Sequence, residues 1–387
     1  MAIFYATLDT MTIYDEAMQA HRTLRGKLEI ISKVALESPH DLSTYYSPGV
    51  GAVSQHLAKH PEETRLYTGT NNSVAIVSDG SAVLGLGNIG PEAALPVMEG
   101  KAMLFKQFAG IDAFPIVMST QDPQKIIDTI VAIAPSFGGI NLEDIAAPNC
   151  FYIETELKKQ LHMPIMHDDQ HGTAIVVLAG LINACRVTGR QLHDTKIVLV
   201  GAGAAGIAIA KLLFDYAQPT ITAVDSKGII TSRRTDLNEE KQLLLAYGNR
   251  HQKEGMLADA VVDADIFIGV SQGGILTQPM VRSMAKNSII FAMANPEPEI
   301  YPELAKQAGA AIVATGRSDF PNQVNNVLAF PGIFRGALDT QSPITDGHKI
   351  AAAEAIANIV RHPDAEHIVP SPLDGKVVRA VSSVFTN

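Results

Sequence analysis

The stretch Lys196-Ile-Val-Leu-Val200 runs without a break into Gly201-Ala-Gly203-Ala-Ala-Gly206, and an apolar helical pattern follows. Few folds admit a buried strand, a glycine-rich turn and a helix in immediate succession. Gly201 permits the tight turn, Gly203 lets a pyrophosphate approach the backbone, and Gly206 lets the helix pack closely on the strand. The first helical residues, Ala204 and Ala205, then offer unpaired N–H groups and the positive end of the helix dipole to the phosphates. The next apolar run ends at Asp225, where a carboxylate is expected to accept from the ribose hydroxyls. An acid there also repels a 2′-phosphate, which favours NAD over NADP. Lys227, Arg233 and Arg234 lie close enough in sequence to screen it, so NADP stays open. Asn295, in Met293-Ala-Asn-Pro296, is placed either to bond the nicotinamide side or to form the turn before Pro296.

The rest of the chain repeats the strand-then-helix rhythm. Buried strands are expected at Val74–Val77, Ala113–Met118, Gly139–Leu142 and Pro164–Met166, with helices at Glu92–Phe108, Pro123–Ala134 and Cys150–Leu161 between them. A helix from Gly172 to Val187 leads to further strands at Ile197–Val200, Ile221–Val224, Ile266–Val270, Ile289–Met293 and Ala311–Ala314. Such alternation predicts an α/β chain of two parallel-sheet domains, residues 1–170 and 171–387, the second a Rossmann-type fold. The 387 residues, 47% apolar and 18% charged, suffice for two cores. An amphipathic segment, Ile13–Leu36, precedes the first sheet, the Gly347–Arg361 stretch is helical by pattern, and the chain beyond Pro363 reads as loop.

Composition removes some classes. Net charge is −10 and no basic block is long enough to neutralise a row of phosphates, so nucleic acid is not an expected partner. The two cysteines, Cys150 and Cys185, form no CxxC pair and read as small core residues in a reducing compartment. The start, Met1-Ala-Ile-Phe, lacks the basic-then-apolar pattern of a secretion leader. The most apolar helical run, Thr173–Cys185, reads as too short to span a bilayer. A cytoplasmic protein is expected.

Ligands of parallel sheets collect beyond the carboxyl ends of the strands. Two first-domain strands end there in acids, at Asn141-Leu-Glu143-Asp144 and at Met166-His-Asp168-Asp169. If those strands are neighbours, the carboxylates converge and repel, and a divalent cation bound by oxygen removes the conflict. Mg²⁺ or Mn²⁺ suits such a set. The plainer alternative has Glu143 and Asp144 capping the following helix. His167 and His171 add the remote option of a zinc or HD-type hydrolase, but read better as hydrogen-bonded packing residues.

These motifs together resemble the malic enzymes of the short bacterial type, over Asp41 to Asp339. Leu42-Ser-Thr-Tyr-Tyr46-Ser-Pro-Gly-Val50 is similar to the family's tyrosine motif, with Tyr46 at the catalytic position. Ser78-Asp-Gly-Ser-Ala leads on to Pro96-Val-Met-Glu-Gly-Lys101, which places the family's lysine at Lys101. The resemblance implies Glu143, Asp144 and Asp169 as metal ligands and Asp168 as the acid that supports the base. Gln323-Val-Asn-Asn326 with Phe330-Pro-Gly-Ile-Phe334 resembles the segment holding substrate and nicotinamide, implying Asn325 and Asn326 as substrate contacts. Two places depart from the pattern. Ala82 stands where larger members carry an arginine for the substrate carboxylate, and Tyr45 precedes Tyr46 where a small residue is usual.

The implied reaction is oxidative decarboxylation of malate to pyruvate, with Lys101 neutral and acting as base and Tyr46 as acid; burial and a nearby cation are expected to lower the lysine's pKa. A homodimer joined through the N-terminal helical region is implied as well. Two other readings keep the scaffold: a non-redox oxaloacetate decarboxylase, and a silent NAD-binding regulator.

Overall fold

The computed structural model describes residues 12–83, 86–249 and 252–386. The opening residues, read above for a secretion leader, lie outside that range. The first sheet holds β1 (Ser73–Ser78), β2 (Asp112–Val117), β3 (Gly139–Leu142) and β4 (Ile165–His167), all parallel, in the order β2-β1-β3-β4. The chain leaves β1 towards one edge and returns to β3 on the other side. A crevice therefore opens at the carboxyl ends of β1 and β3. Helices Pro91–Ala109, Pro123–Ile133 and Asn149–Gln160 make the crossovers.

The second sheet has β5 (Lys196–Val200), β6 (Thr220–Asp225), β7 (Gly228–Ile229), β8 (Ile266–Gly269), β9 (Ile289–Ala292) and β10 (Ile312–Thr315), in the order β10-β9-β8-β5-β6-β7. Every pairing is parallel except β6 with β7, a two-residue antiparallel edge that the sequence did not reveal. Here the order reverses between β5 and β8, and the glycine loop lies at that point. Both sheets are thus α/β and parallel, and the second is of the Rossmann type.

A helix from Asp168 to Thr188 joins the two sheets, and the expected division after residue 170 falls in its first turn. It starts earlier than its apolar pattern suggested, because Asp168 and Asp169 belong to it. Among the described residues it is the one helix long and apolar enough to cross a membrane, so the expectation that this stretch was too short is corrected. Its residues Ala174–Cys185 are all buried in the protein core. Asn183, the polar residue within that run, donates to the carbonyls of Ala357 and Ile368 at 2.9 and 2.8 Å. Hydrogen bonds to both N–H groups offset the cost of burying this amide.

The ends of the chain differ from the sequence reading. The N-terminal amphipathic segment is helical only over Ile13–Leu24, where Arg25 in a left-handed conformation stops it. Beyond Pro363 a helix, Lys376–Ser382, packs on the Phe330–Thr340 helix. Its short apolar face, Val377 and Val381, gave too little periodicity to read. The Phe330–Thr340 helix packs in turn on Pro91–Ala109, with Phe105 edge-on to Phe330 and Phe334 at 4.7 and 5.4 Å. Cys150 and Cys185 are free and buried, as expected, and burial raises both thiol pKa values.

Candidate active site

Because β3 and β4 are adjacent, the two acidic strand ends meet. Carboxylate oxygens of Glu143, Asp144 and Asp169 lie within 4.8 Å of one another. Asp144 takes a positive φ of 54°, a conformation Asp tolerates better than most residues, and its N–H donates to Asp169 Oδ2 at 2.8 Å. The carbonyl of Asp144 accepts from Ala82 N–H, and Ser81 Oγ accepts from Ala146 N–H at 2.8 Å. The loop after β1 therefore braces the loop after β3. Glu143 and Asp144 do not cap the next helix, which starts only at Asn149. That plainer alternative is excluded.

Lys101 rises from the Pro91–Ala109 helix into this cluster. Its Nζ donates to Glu143 Oε1 at 2.5 Å and to Asp168 Oδ2, and stands 4.5 Å from the centre of the Phe330 ring. All three charged side chains are almost wholly buried. Burial pushes the ammonium towards its neutral form, but Asp168, Glu143 and Asp169 outweigh it and hold the lysine pKa above its ordinary value. The lowered pKa expected from the sequence was that of a lysine beside a bound cation; in the chain by itself the carboxylates prevail. Burial raises Asp168 and Glu143 to about 7 against the pull of Lys101. Asp169 is also raised, chiefly by desolvation, although a third of its side chain reaches solvent.

Do these residues fit a divalent cation? The donors are all carboxylate oxygens, the hard set preferred by Mg²⁺ and Mn²⁺. Burial, and for Glu143 also the charge of Asp169, raise the pKa values of Glu143 and Asp169, and a doubly charged ion would favour their ionised forms. Asn141 Nδ2 already holds Glu143 Oε2 at 2.9 Å, which fixes the direction of that carboxylate. The residues fit. Among the described residues no histidine joins the set, so the hydrolase option gains no support: His167 is fully buried, neither ring nitrogen has a hydrogen-bond partner there, and burial lowers its pKa to about 4. The expectation of a hydrogen-bonded His167 fails, while His171 does bond, through Nε2 to Glu154 at 2.9 Å.

Glu154 was not legible as a site residue, since an acid in the middle of a helix reads as solvated. It is buried, and Oε1 accepts the backbone N–H of His167 at 3.1 Å. It thus pins the β4 end that carries Asp168 and Asp169. Gly172 was equally silent: a Cβ there would lie 1.9 Å from Asp168 Oδ1.

Not every expected residue joins the cluster. Tyr46 caps the Pro39–Tyr45 helix with its side chain 71% exposed, and that side chain makes no hydrogen bond among the described residues. Asn326 does approach, its Cβ 3.1 Å from where a Gly172 Cβ would sit. Asn325 instead caps its own short turn, Oδ1 accepting from Val327 N–H at 2.9 Å.

At the second sheet, Gly201 has φ 110°, and a Cβ on Gly206 would lie 1.8 Å from the Gly201 carbonyl oxygen. Both positions require glycine. A Cβ on Gly203 would meet nothing, so space is open before the loop, and the helix begins at Ala204 and Ala205. Asn295 is exposed just past the end of β9, at the same edge of the sheet. Asp225 ends β6, but it is engaged: Arg234 and Lys241 each reach it at 2.7 Å. Burial opposes ionisation there, yet these bonds hold the carboxyl at about 2. Lys227 and Arg233 pair elsewhere, with Asp236 and Glu254.

Two family models match the chain. The malic enzyme NAD-binding domain matches residues 170–383, and the malic enzyme N-terminal domain matches residues 25–125. The chain belongs to the malic enzyme family. It is 55% identical to the bifunctional malic/malolactic enzyme of Bacillus subtilis, covering 96% of this chain and 92% of that one. It is 46% identical to the NADP-dependent malic enzyme of Halomonas elongata, covering 94% and 90%. The crystal structure of the NAD-dependent malic enzyme from Thermotoga maritima superposes with a TM-score of 0.93 at 49% identity, covering 96% of this chain and 99% of that one. Within the family, this chain presents an NAD-binding domain beside a buried lysine–carboxylate cluster.

Proposed function

We propose that this malic enzyme oxidises malate to pyruvate and carbon dioxide with NAD as hydride acceptor. The observation that carries the reading is Lys101, held by Glu143 and Asp168 at the edge of a three-carboxylate set. A divalent cation on Glu143, Asp144 and Asp169 would offset their charge and supply Lewis acidity, and a nicotinamide beside Asn295 would supply the hydride acceptor. With the charge of Glu143 and Asp169 offset, the balance at Lys101 would move towards the neutral amine that a base requires. Asp168 receives the lysine's hydrogen bond and fixes the direction of Nζ. Asn326 stands by Asp168 to orient substrate, with Asn325 as its neighbour on the same turn.

Tyr46 is the proposed acid, and its exposed position fits a chain that works as a homodimer. The described helices from Ile13 to Tyr67 bury no side chain, and Ile13, Tyr14, Met18, Ile30, Ile31 and Tyr46 are widely exposed. So much apolar surface supports a second copy covering this face. A cytoplasmic location is proposed on the core packing of the Asp168–Thr188 helix and the free cysteines.

The test is NADH formation from malate by metal-stripped protein before and after Mn²⁺ is restored. The proposal predicts NADH only after restoration. Decarboxylation of oxaloacetate with no NADH from malate would replace it by the lyase reading, and turnover of neither acid by the regulator reading.

Two further outcomes follow. Glu143, raised to about 7, and Asp169, raised as well, take up protons in competition with a metal, which binds only their ionised forms. Mn²⁺ affinity should therefore rise between about pH 6 and about pH 8, by up to about tenfold per unit while one proton is displaced. A flat calorimetric profile would contradict this. Asp225→Ala should free Arg234 and Lys241 for a 2′-phosphate and shift the kcat/KM ratio towards NADP by about tenfold to a hundredfold. An unchanged ratio removes Asp225 from ribose recognition.

A further inference from the structure

We propose that a cavity of about 510 Å³ beside the Phe330–Thr340 helix binds a small polyanion through carboxylate or phosphate oxygens. Its lining includes Lys33, Arg65, Asn72, Arg335, Asp339 and Gln341, none of which belongs to the Lys101 cluster. Three cations against one carboxylate stand out on a chain whose net charge is −10.

The pairing within the cavity shows which charge is left over. Arg335 is matched: Nε and Nη2 hold Asp339 at 3.1 and 2.5 Å, and Nη1 donates to Asn72 Oδ1 at 2.7 Å. Arg65 pairs with no carboxylate among the described residues. Its Nη2 donates to the carbonyls of Leu338 and Asn71 at 2.9 and 3.4 Å, and its buried Nε finds no partner among the described residues. Carbonyls orient a guanidinium without neutralising it. Asp112, the acid in the field of Lys33, is already held by Lys106 at 2.6 Å and by Asn72 at 3.1 Å.

Two guanidiniums therefore face one space with a single carboxylate between them. Burial, and then Arg335, lower the pKa of Arg65, and Asp339 only partly compensates. An oxyanion of two or more charges would accept from the Arg65 guanidinium through Nη1 and from Lys33, and offset that repulsion. The volume lies within the range of about 300–1,000 Å³ typical of metabolite pockets.

The proposal does not depend on malate turnover. The test is isothermal titration calorimetry of metal- and cofactor-free protein at low salt, with inorganic phosphate, succinate and citrate as separate probes. In that form the catalytic carboxylates repel anions, and the two cavity variants below separate this site from the glycine loop, which can also take phosphate. At least one probe should saturate at one per chain, and which one does separates phosphate from carboxylate ligands. Arg65→Gln should weaken binding about tenfold or more, and Lys33→Gln, at a more exposed position, about threefold. Saturation of no probe would overturn the proposal, as would affinity unchanged in both variants. A change of oligomeric state in Arg65→Gln without probe binding to the parent protein would instead assign the cavity to a partner's acidic side chain, and would also overturn it.

Discussion

Replacing Lys101 by alanine is expected to lower malate turnover about a thousandfold, the scale of a lost general base. The proposal gives this side chain the proton of the malate hydroxyl, and no other amine lies in the cluster. Asp168 and Glu143, now without their cation, are buried acids with pKa values already near 7 and can take up protons rather than remain as bare charges. The metal-free variant should therefore fold, with its stability shifted towards lower pH. The direction follows from the carboxylates: protonated in the folded chain and ionised in the unfolded one between about pH 4 and about pH 7, they make stability fall as pH rises through that window. Mn²⁺ should still bind and restore stability at higher pH. NAD affinity should be close to that of the parent, because the glycine loop is untouched. Stopped-flow and steady-state kinetics check the first part. Turnover within tenfold of the parent would remove Lys101 from the base's role.

The second large effect is expected at a residue with no functional group. Gly172→Ala, in the interior of a helix, would ordinarily add about 1 kcal/mol of stability. Here the sign reverses. Residues 168 and 172 are one turn apart on the same helix face, and the added Cβ would lie 1.9 Å from Asp168 Oδ1 and 2.8 Å from its Cγ. Asp168 cannot swing away without leaving Lys101, and Asn326, whose Cβ lies 3.1 Å from the same point, closes another side. The expected result is about a hundredfold loss of kcat, since a displacement of about 1 Å at a catalytic group costs that much. Overpacking should cost about 2 kcal/mol as well. Gly100→Ala is the matched control: it is helical, adjacent to Lys101, and its Cβ would meet nothing within 4 Å. It should leave turnover nearly unchanged. Equal behaviour of the two variants, in kcat and in thermal midpoint, would show that Asp168 does not depend on the missing methyl group.

These two glycines show where sequence reasoning stopped. The glycine loop, the rhythm of nine strands and the acidic strand ends were legible because each is local: a turn type, a period, a residue at a boundary. Convergence of Glu143 with Asp169 was also within reach, since it needed only β3 and β4 to be neighbours. What remained hidden was set by packing between distant segments. Glu154 matters because its helix lays it under the backbone of His167. Lys241 reaches Asp225 from a helix sixteen residues further along, where composition shows only an ordinary surface lysine. The charge state of Lys101 in the metal-free chain was hidden for the same reason. Burial could be guessed, but two carboxylates bonded to one ammonium could not. Tyr46 is the reverse case: its motif is plain in the sequence, and the structure of one chain leaves its ring in the open.

The central claim is that Glu143, Asp144 and Asp169 hold one divalent ion between them, and Mn²⁺ titration followed by electron paramagnetic resonance addresses it most directly. The account predicts one tight Mn²⁺ per chain in the parent protein, and the loss of that tight class in Glu143→Gln, Asp144→Asn and Asp169→Asn alike. Tight, stoichiometric Mn²⁺ binding that survives in any of the three would contradict it.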